Sequence, residues 1–201
     1  YLATYINEKT DHEATIWDYT FNRHNWKSYL TDKFNKDKPD VIGITFTTLY
    51  KKYVEDTILH IRNSLSKDVK IVIGGVHPTL KPEDGFMDGV DAVVIGEGEP
   101  AFHEILNNMD NKNCFEDVKG VHWKSSDGEI IKNYPRGWIK DINELPFPNY
   151  ELWDDVDKYL FYLQQLWLVG TRGCPYPCTN CEEVQMYKLF DNSGASPSGI
   201  D

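Results

Sequence analysis

Three short, almost purely aliphatic stretches, Val41-Ile42-Gly43-Ile44-Thr45, Lys70-Ile71-Val72-Ile73 and Ala92-Val93-Val94-Ile95, constrain this chain more than any other feature. Their apolar residues run on without polar alternation, so each reads as a strand covered on both faces, as in a parallel sheet flanked by helices. Helical spacing separates them. Residues 50–65 turn Tyr53, Val54, Thr57, Ile58, Ile61 and Leu65 to one side, a short helix is predicted over 82–87, and another over 100–109 follows the last strand. Upstream, residues 1–9 and 25–34 have helical periodicity, the second ended by Pro39-Asp40, and Thr15-Ile16-Trp17-Asp18 reads as a short strand. The expected class is α/β, a doubly wound parallel-sheet (Rossmann-like) domain.

In such sheets ligands bind at the carboxyl ends of the strands, so the loops there carry the chemical information. They read Thr45-Phe46-Thr47-Thr48-Leu49, Gly74-Gly75-Val76-His77-Pro78-Thr79 and Gly96-Glu97-Gly98-Glu99-Pro100. Glycine permits positive φ and close backbone approach, and threonine offers a hydroxyl, so a large polar ligand could lie along this edge. The alternative for Gly74-Gly75 is a tight strand-to-helix turn. Neither Gly-x-Gly-x-x-Gly nor a Walker motif is present, which argues against a nicotinamide or nucleoside triphosphate site.

Beyond about residue 115 the texture changes. Gly120-Val121-His122-Trp123-Lys124 and Glu129-Ile130-Ile131-Lys132 flank Ser125-Ser126-Asp127-Gly128, a hairpin signal. Residues 141–150, with Pro146 and Pro148, read as an extended linker, and Leu166-Trp167-Leu168-Val169 as an apolar strand. That strand delivers the chain into Cys174-Pro175-Tyr176-Pro177-Cys178-Thr179-Asn180-Cys181, which holds three of the four cysteines. Thiolates at Cys174, Cys178 and Cys181 can converge on one soft metal centre if the loop bends around Pro175 and Pro177. Three ligands on a 4Fe-4S cluster leave one iron open, whereas structural zinc would want a fourth Cys or His nearby. Cys114, sixty residues upstream in a polar run, is a poor fourth ligand.

The chain has 201 residues and a net charge of −11 with dispersed acidic residues, which disfavours nucleic acid and anionic membranes as partners. No apolar run is long enough to cross a bilayer and no secretory signal opens the sequence, so the expected compartment is the cytoplasm. Clustered cysteines there read as metal ligands. Residues 192–199 are turn-forming, and both ends read as cut, residue 1 being Tyr.

The three-cysteine loop with Thr171-Arg172-Gly173 before it resembles the signature of the radical S-adenosylmethionine (SAM) enzymes. One position departs from that pattern: Asn180 stands where an aromatic residue is usual. The three strand-end loops, in order with Asp18, the Leu-Pro-x-Pro linker and the cysteine loop, resemble the cobalamin-binding radical SAM enzymes over nearly the whole chain. The resemblance implies a cobalamin-binding domain over 1–114 with its first strand missing, a hairpin and linker over 115–162, and a truncated β/α barrel beginning at 163–201. It implies three cofactors, a 4Fe-4S cluster on Cys174, Cys178 and Cys181, SAM at the open iron, and cobalamin against Gly43, Thr45 and Thr48, with Gly74, Gly75, Gly96 and Gly98 allowing close approach. His77 would face the corrin or cap and pack the short helix at Pro78. Glu97 and Glu99 would contact ligand hydroxyls or favour the helix that follows. At the Asp-x-His-x-x-Gly motif of other cobalamin proteins this sequence has Asp18, Thr20 and Arg23, implying cobalt without a lower histidine ligand.

The implied activity is reductive cleavage of SAM to a 5'-deoxyadenosyl radical, for methyl transfer or other radical chemistry on an unactivated carbon of a small molecule. Flavodoxin or ferredoxin would be the electron donor, and the truncated chain is expected to be inactive alone. The competing readings are a non-catalytic cobalamin-binding module and a zinc-stabilised α/β protein.

Overall fold

The computed structural model of this chain describes residues 1–174, 176 and 178–191. Pro175 and Pro177, expected to bend the cysteine loop, and the turn-forming stretch 192–199 lie outside the described residues.

The apolar runs form the sheet. Strands β1 (Val41–Thr45), β2 (Lys70–Gly74) and β3 (Ala92–Val94) are parallel, and the hairpin strands β4 (Val121–Lys124) and β5 (Ile130–Lys132) follow antiparallel, in the spatial order β1-β2-β3-β4-β5. Each of Ile71, Val72 and Ile73 in β2 is 0% exposed, which accounts for the unbroken apolar run: helices cover both faces. The period-two pleat sorts the side chains. Ile42, Ile71, Ile73 and Val93 pack with Val54, Ile58 and Ile61 of the long helical segment after β1, whereas Val72, Ala92, Val94 and Val121 pack with Ala101 and Ile105 of the helix after β3. Each fully buried aliphatic side chain contributes about 1.5–3 kcal/mol relative to leaving it in water.

The helices are α1 (Leu2–Lys9), α2 (Trp26–Asp37), α3 (Lys51–His60), the short α4 (Val76–Leu80) and α5 (Pro82–Gly85), α6 (Gly98–Asn107), α7 (Val156–Leu163) and α8 (Glu182–Asp191). Helix α2 stops at Lys38, whose φ of 47° is left-handed and whose N–H donates to Phe34 O at 2.8 Å; Pro39 then prevents continuation. Helix α3 widens into a π-helical turn, Ile61–Leu65, which presents Arg62 to Gly89 O (2.8 Å), Val69 O (2.7 Å), Lys67 O (3.1 Å) and Asp91 Oδ2 (2.6 Å). Asp91 also accepts from Ile71 N at 2.7 Å, so one ion pair closes the loops at the amino ends of β2 and β3.

Four expectations need correction. The sheet is mixed, since the hairpin pairs with β3 and fills the α6 face with Val121 instead of standing apart. The described strands also follow chain order without the reversal of a doubly wound sheet. Residues 15–18 are irregular: Trp17 packs edge-on against Phe34 and donates from Nε1 to Asp37 Oδ2 at 2.7 Å, so side-chain anchoring replaces strand pairing. Residues 166–169 are not a strand either. Their relative exposures are 45%, 75%, 59% and 56%, and no neighbouring strand among the described residues supplies a ladder. Helix α4 is the short helix expected at Pro78, and α7 and α8 are additions to the elements expected from the sequence.

Candidate functional site

Register alone brings two of the loops together: Thr45 lies opposite Gly74 at the carboxyl ends of β1 and β2, and Phe46 N donates to Gly74 O at 3.3 Å. Gly75 follows with φ of 102°, and a Cβ there would collide with Thr45 Oγ1 and the backbone of Phe46. Only glycine lets the two loops approach so closely. The third loop is tied in by Thr79, 3% exposed, whose Oγ1 accepts from Gly96 N at 3.0 Å, Gly96 itself having φ of 88°.

His77, in the first turn of α4, bridges two loops. Its Nδ1 is 2.8 Å from Thr48 Oγ1, its Nε2 is 3.1 Å from Asp84 Oδ2, and its ring lies against Phe46 with centroids 5.2 Å apart. Lys51 Nζ donates to the other oxygen of Asp84 at 2.7 Å, and the hydrogen bonds from Lys51 and His77 hold that carboxyl below the usual carboxylate range. Both ring nitrogens of His77 therefore meet protein groups, and the imidazole organises the edge. Beside this network lies a platform the sequence reading overlooked: Leu49 is 86% exposed, Tyr50 55% and Tyr53 64%, with the exposed residues Thr45, Thr47 and Thr48 alongside. Exposed apolar side chains next to hydroxyls suit a broad ligand that is apolar on its face and polar at its rim.

Gly43 sits two residues before the end of β1, where a Cβ would come within 2.6 Å of the Phe102 ring, so close packing of α6 explains it. Gly98 opens α6 and has no such crowding, since a Cβ there would come no closer than 3.9 Å to Leu2. Glu97 is the N-cap of α6 and Glu99 lies in its first turn; both carboxylates turn to Arg172. Burial alone would lower the pKa of that guanidinium, but hydrogen bonds from it to Glu99 and Glu97 outweigh burial and raise it.

Asp18 accepts from Thr20 N at 2.8 Å and from Tyr159 OH at 2.5 Å, so it fastens α7 to the segment before α2. A separate hollow of about 260 Å³, lined by Ile95, His122, Asn133 and Arg136 among others, lies beside the hairpin and away from Thr48 and His77.

Cys174 and Cys181 are partly exposed and Cys178 is exposed; Cys178 N donates to Tyr176 O at 3.0 Å and Cys181 N to Cys178 O at 3.3 Å, and α8 starts directly after. The donor set suits a soft metal, but among the described residues no group of three or more His, Cys, Asp or Glu side chains converges to metal-binding distance. Cys114 is 4% exposed in the core against the α6 face, where burial raises its thiol pKa. Among the described residues no helix is long and apolar enough to cross a membrane.

The chain is 32% identical over 189 residues to an uncharacterized methyltransferase of Pyrococcus horikoshii, covering 90% of this chain and 39% of that protein. Its fold matches OxsB, a cobalamin-dependent SAM radical enzyme solved with aqua-cobalamin and SAM bound, at TM-score 0.67 and 18% identity over 96% of this chain and 28% of the other. It also matches TsrM of Kitasatospora setae, a radical SAM methyltransferase solved with cobalamin and a [4Fe-4S] cluster, at TM-score 0.57 and 23% identity over 67% of this chain and 25% of the other. The chain thus spans about two fifths or less of the relatives it matches. The family model of the B12 binding domain matches residues 1–106, more than half of the 201, and the chain belongs to that family, in the company of cobalamin-dependent radical SAM enzymes.

Proposed function

We propose that this chain binds cobalamin along the carboxyl edge of β1, β2 and β3 and presents it to a radical SAM centre carried by Cys174, Cys178 and Cys181, in an enzyme that methylates or otherwise remodels an unactivated carbon of a small molecule. The observation that supports this reading best is the edge itself. Three strand-end loops meet there, Gly75 at φ of 102° lets two of them touch, and an open apolar platform lies beside threonine hydroxyls.

Thr45 and Thr48 offer hydroxyls to the polar rim of the ligand, the backbone at Gly74, Gly75, Gly96 and Gly98 allows close approach, and Gly43 completes the set by seating α6. His77 holds Thr48 in place from behind, and Glu97 acts through the turn it anchors. Leu49, Tyr50 and Tyr53 cover the apolar face and exclude water from it. With Thr20 in the position of a lower ligand, the chain provides no histidine there for cobalt. Bound cobalamin supplies a transferable methyl group, and a cluster with SAM supplies the radical that removes hydrogen from carbon. A flavodoxin or ferredoxin delivers the electron, and the net charge of −11 favours a small-molecule substrate over nucleic acid.

Titration with methylcobalamin in the dark, followed by its visible spectrum, tests the first half. Retention by the wild type and at least about tenfold weaker binding by Gly75→Val are expected, because any side chain there separates the loops. Equal affinity in the two proteins would overturn this placement. Anaerobic reconstitution with iron and sulfide tests the second half: cluster absorbance lost in Cys178→Ala supports it, and stoichiometric zinc without sulfide refutes it.

A further inference from the structure

The cobalamin edge and the cysteine loop meet at one side chain. Arg172 stands two positions before Cys174 and reaches back to the loop after β3, where NH1 donates to Glu97 Oε1 at 2.8 Å and to Glu99 Oε2 at 3.3 Å, and NH2 donates to Glu99 Oε1 at 2.5 Å. The carboxylate side chains are each 6% exposed and the guanidinium side chain 21%. The second oxygen of Glu97 accepts from Ile139 N, and the ring of Tyr1 lies 5.8 Å from the guanidinium carbon.

Two carboxylates so close and so well covered require a cation. A guanidinium suits the place because its planar fork can hold two acceptors at once, whereas an ammonium is a single point charge. The segment leading into Arg172 has few other holds. Residues 166–169 are all exposed; among the described residues Tyr150 OH donates to Trp167 O, and Val169 is held through Tyr1, whose OH donates to Val169 O at 2.8 Å and accepts from Val169 N at 3.2 Å. On the other side of the clamp, Glu97 lies between Gly96 and Gly98, in the loop that Thr79 ties to the rest of the edge.

We propose, resting on the cobalamin reading above, that Arg172 is a positioning residue: it registers the cysteine loop against the Glu97 and Glu99 carboxylates, so that occupancy of the cobalamin edge is felt at Cys174. The same contacts make the reverse true. Whatever orders the cysteine loop steadies the Gly96 to Glu99 turn.

The chain's own cysteines form a ruler for this proposal. Cys178 is exposed, Cys174 is partly covered and lies next to the clamp, and Cys114 is buried in the core. Alkylation by iodoacetamide, resolved residue by residue by mass spectrometry, therefore reports a freely reached site, a locally protected site and global unfolding in one sample. In Arg172→Met, Cys174 should react about tenfold faster than in the wild type while Cys114 and Cys178 keep their rates; Arg172→Lys should lie between, and Glu99→Gln should show a smaller rise. An unchanged Cys174 rate in Arg172→Met overturns the proposal. So does a parallel rise at Cys114, which would mean that the clamp merely stabilises the whole fold.

Methylcobalamin supplies the second arm. Its binding should slow Cys174 alkylation about threefold in the wild type and leave Arg172→Met unaffected, although the visible spectrum shows cobalamin bound to both. Bound cobalamin with no change at Cys174 in the wild type would overturn the coupling. Failure of the wild type to take up cobalamin would sink the functional reading instead, and the cobalamin-free comparison would still decide whether the clamp exists.

Discussion

Up to Val121 this chain is held by burial; beyond the hairpin it is held by separate contacts, most of them polar. The sheet and its helices contain most of the fully covered side chains, with Ile58, Ile71, Val72, Ile73, Val93 and Ile105 all 0% exposed, whereas no described residue beyond Val121 is buried. The later segment is fastened instead at separate points: Asn149 N to Thr4 Oγ1 at 2.9 Å, Lys33 to Asp154, Tyr159 to Asp18, the rings of Tyr159 and Tyr162 on Phe21, and Arg172 to Glu97 and Glu99. Burial is cooperative because each side chain supports its neighbours, whereas a pin can open singly. The contrast predicts global unfolding in one region and local release in the other.

The largest effect should follow Ile73→Ala, which opens a cavity between α3 and the sheet. A loss of about 2–5 kcal/mol is expected, read as a lower urea midpoint with the slope preserved. Trp167→Ala, at a site 75% exposed, should change the same midpoint by less than about 0.5 kcal/mol. If the two substitutions weigh equally, the division at Val121 is wrong. Arg62→Met comes next, at about 2–4 kcal/mol, since it strands the carbonyls of Gly89 and Val69 and the Asp91 carboxylate in partly buried positions. That loss should appear as global unfolding, placing the Arg62 network with the core although it is polar.

Tyr159→Phe tests a pin. It removes the hydrogen bond to Asp18 and should cost about 1 kcal/mol, seen as faster hydrogen exchange in α7 with the exchange of β2 unchanged.

The smallest effect concerns pH. Burial raises the Asp37 carboxyl pKa, but hydrogen bonds from Trp17 and Thr15 outweigh burial and leave it below the ordinary value of 3.8. A carboxyl whose folded pKa is depressed contributes stability above its unfolded pKa and loses it as pH falls through the folded value. The difference in urea midpoint between wild type and Asp37→Asn should therefore be full at neutral pH and shrink on acidification below about pH 4. A constant difference across that window would show that the strap at Trp17 does not depend on the charge.

What could be read from the sequence follows the same boundary. β1 keeps its expected limits at Val41 and Thr45, and α1, α2, α3 and the hairpin lie close to where periodicity places them, because burial writes itself into the order of apolar residues. The positive φ at Gly75 was legible in the glycine pair. Polar pins leave no such trace. Arg62 binds mainly carbonyls, which every residue has, and the partners of Arg172 lie 73 and 75 residues away with nothing local to announce them. The strand expected over 166–169 had the right residues, but a strand also requires a neighbour to pair with. The Leu49, Tyr50 and Tyr53 platform was hidden for the opposite reason. Tyr53 shares the helical stripe of Val54, Thr57, Ile58 and Ile61, which are buried, yet it is itself 64% exposed.

One absent methyl group has mechanical reach. Gly43 lets the Phe102 ring descend to where a Cβ would lie 2.6 Å away, and Phe102 is on α6, one turn after Glu99. The strand glycine is therefore the fulcrum of a lever: the ring rests on β1, and the first turn of α6 carries the two carboxylates that grip Arg172. Enlarging residue 43 would lift the helix and displace the grip together with the cysteine loop it holds. The alignment of the Glu97 to Glu99 turn with the cysteine loop is thus set at a position that belongs to neither.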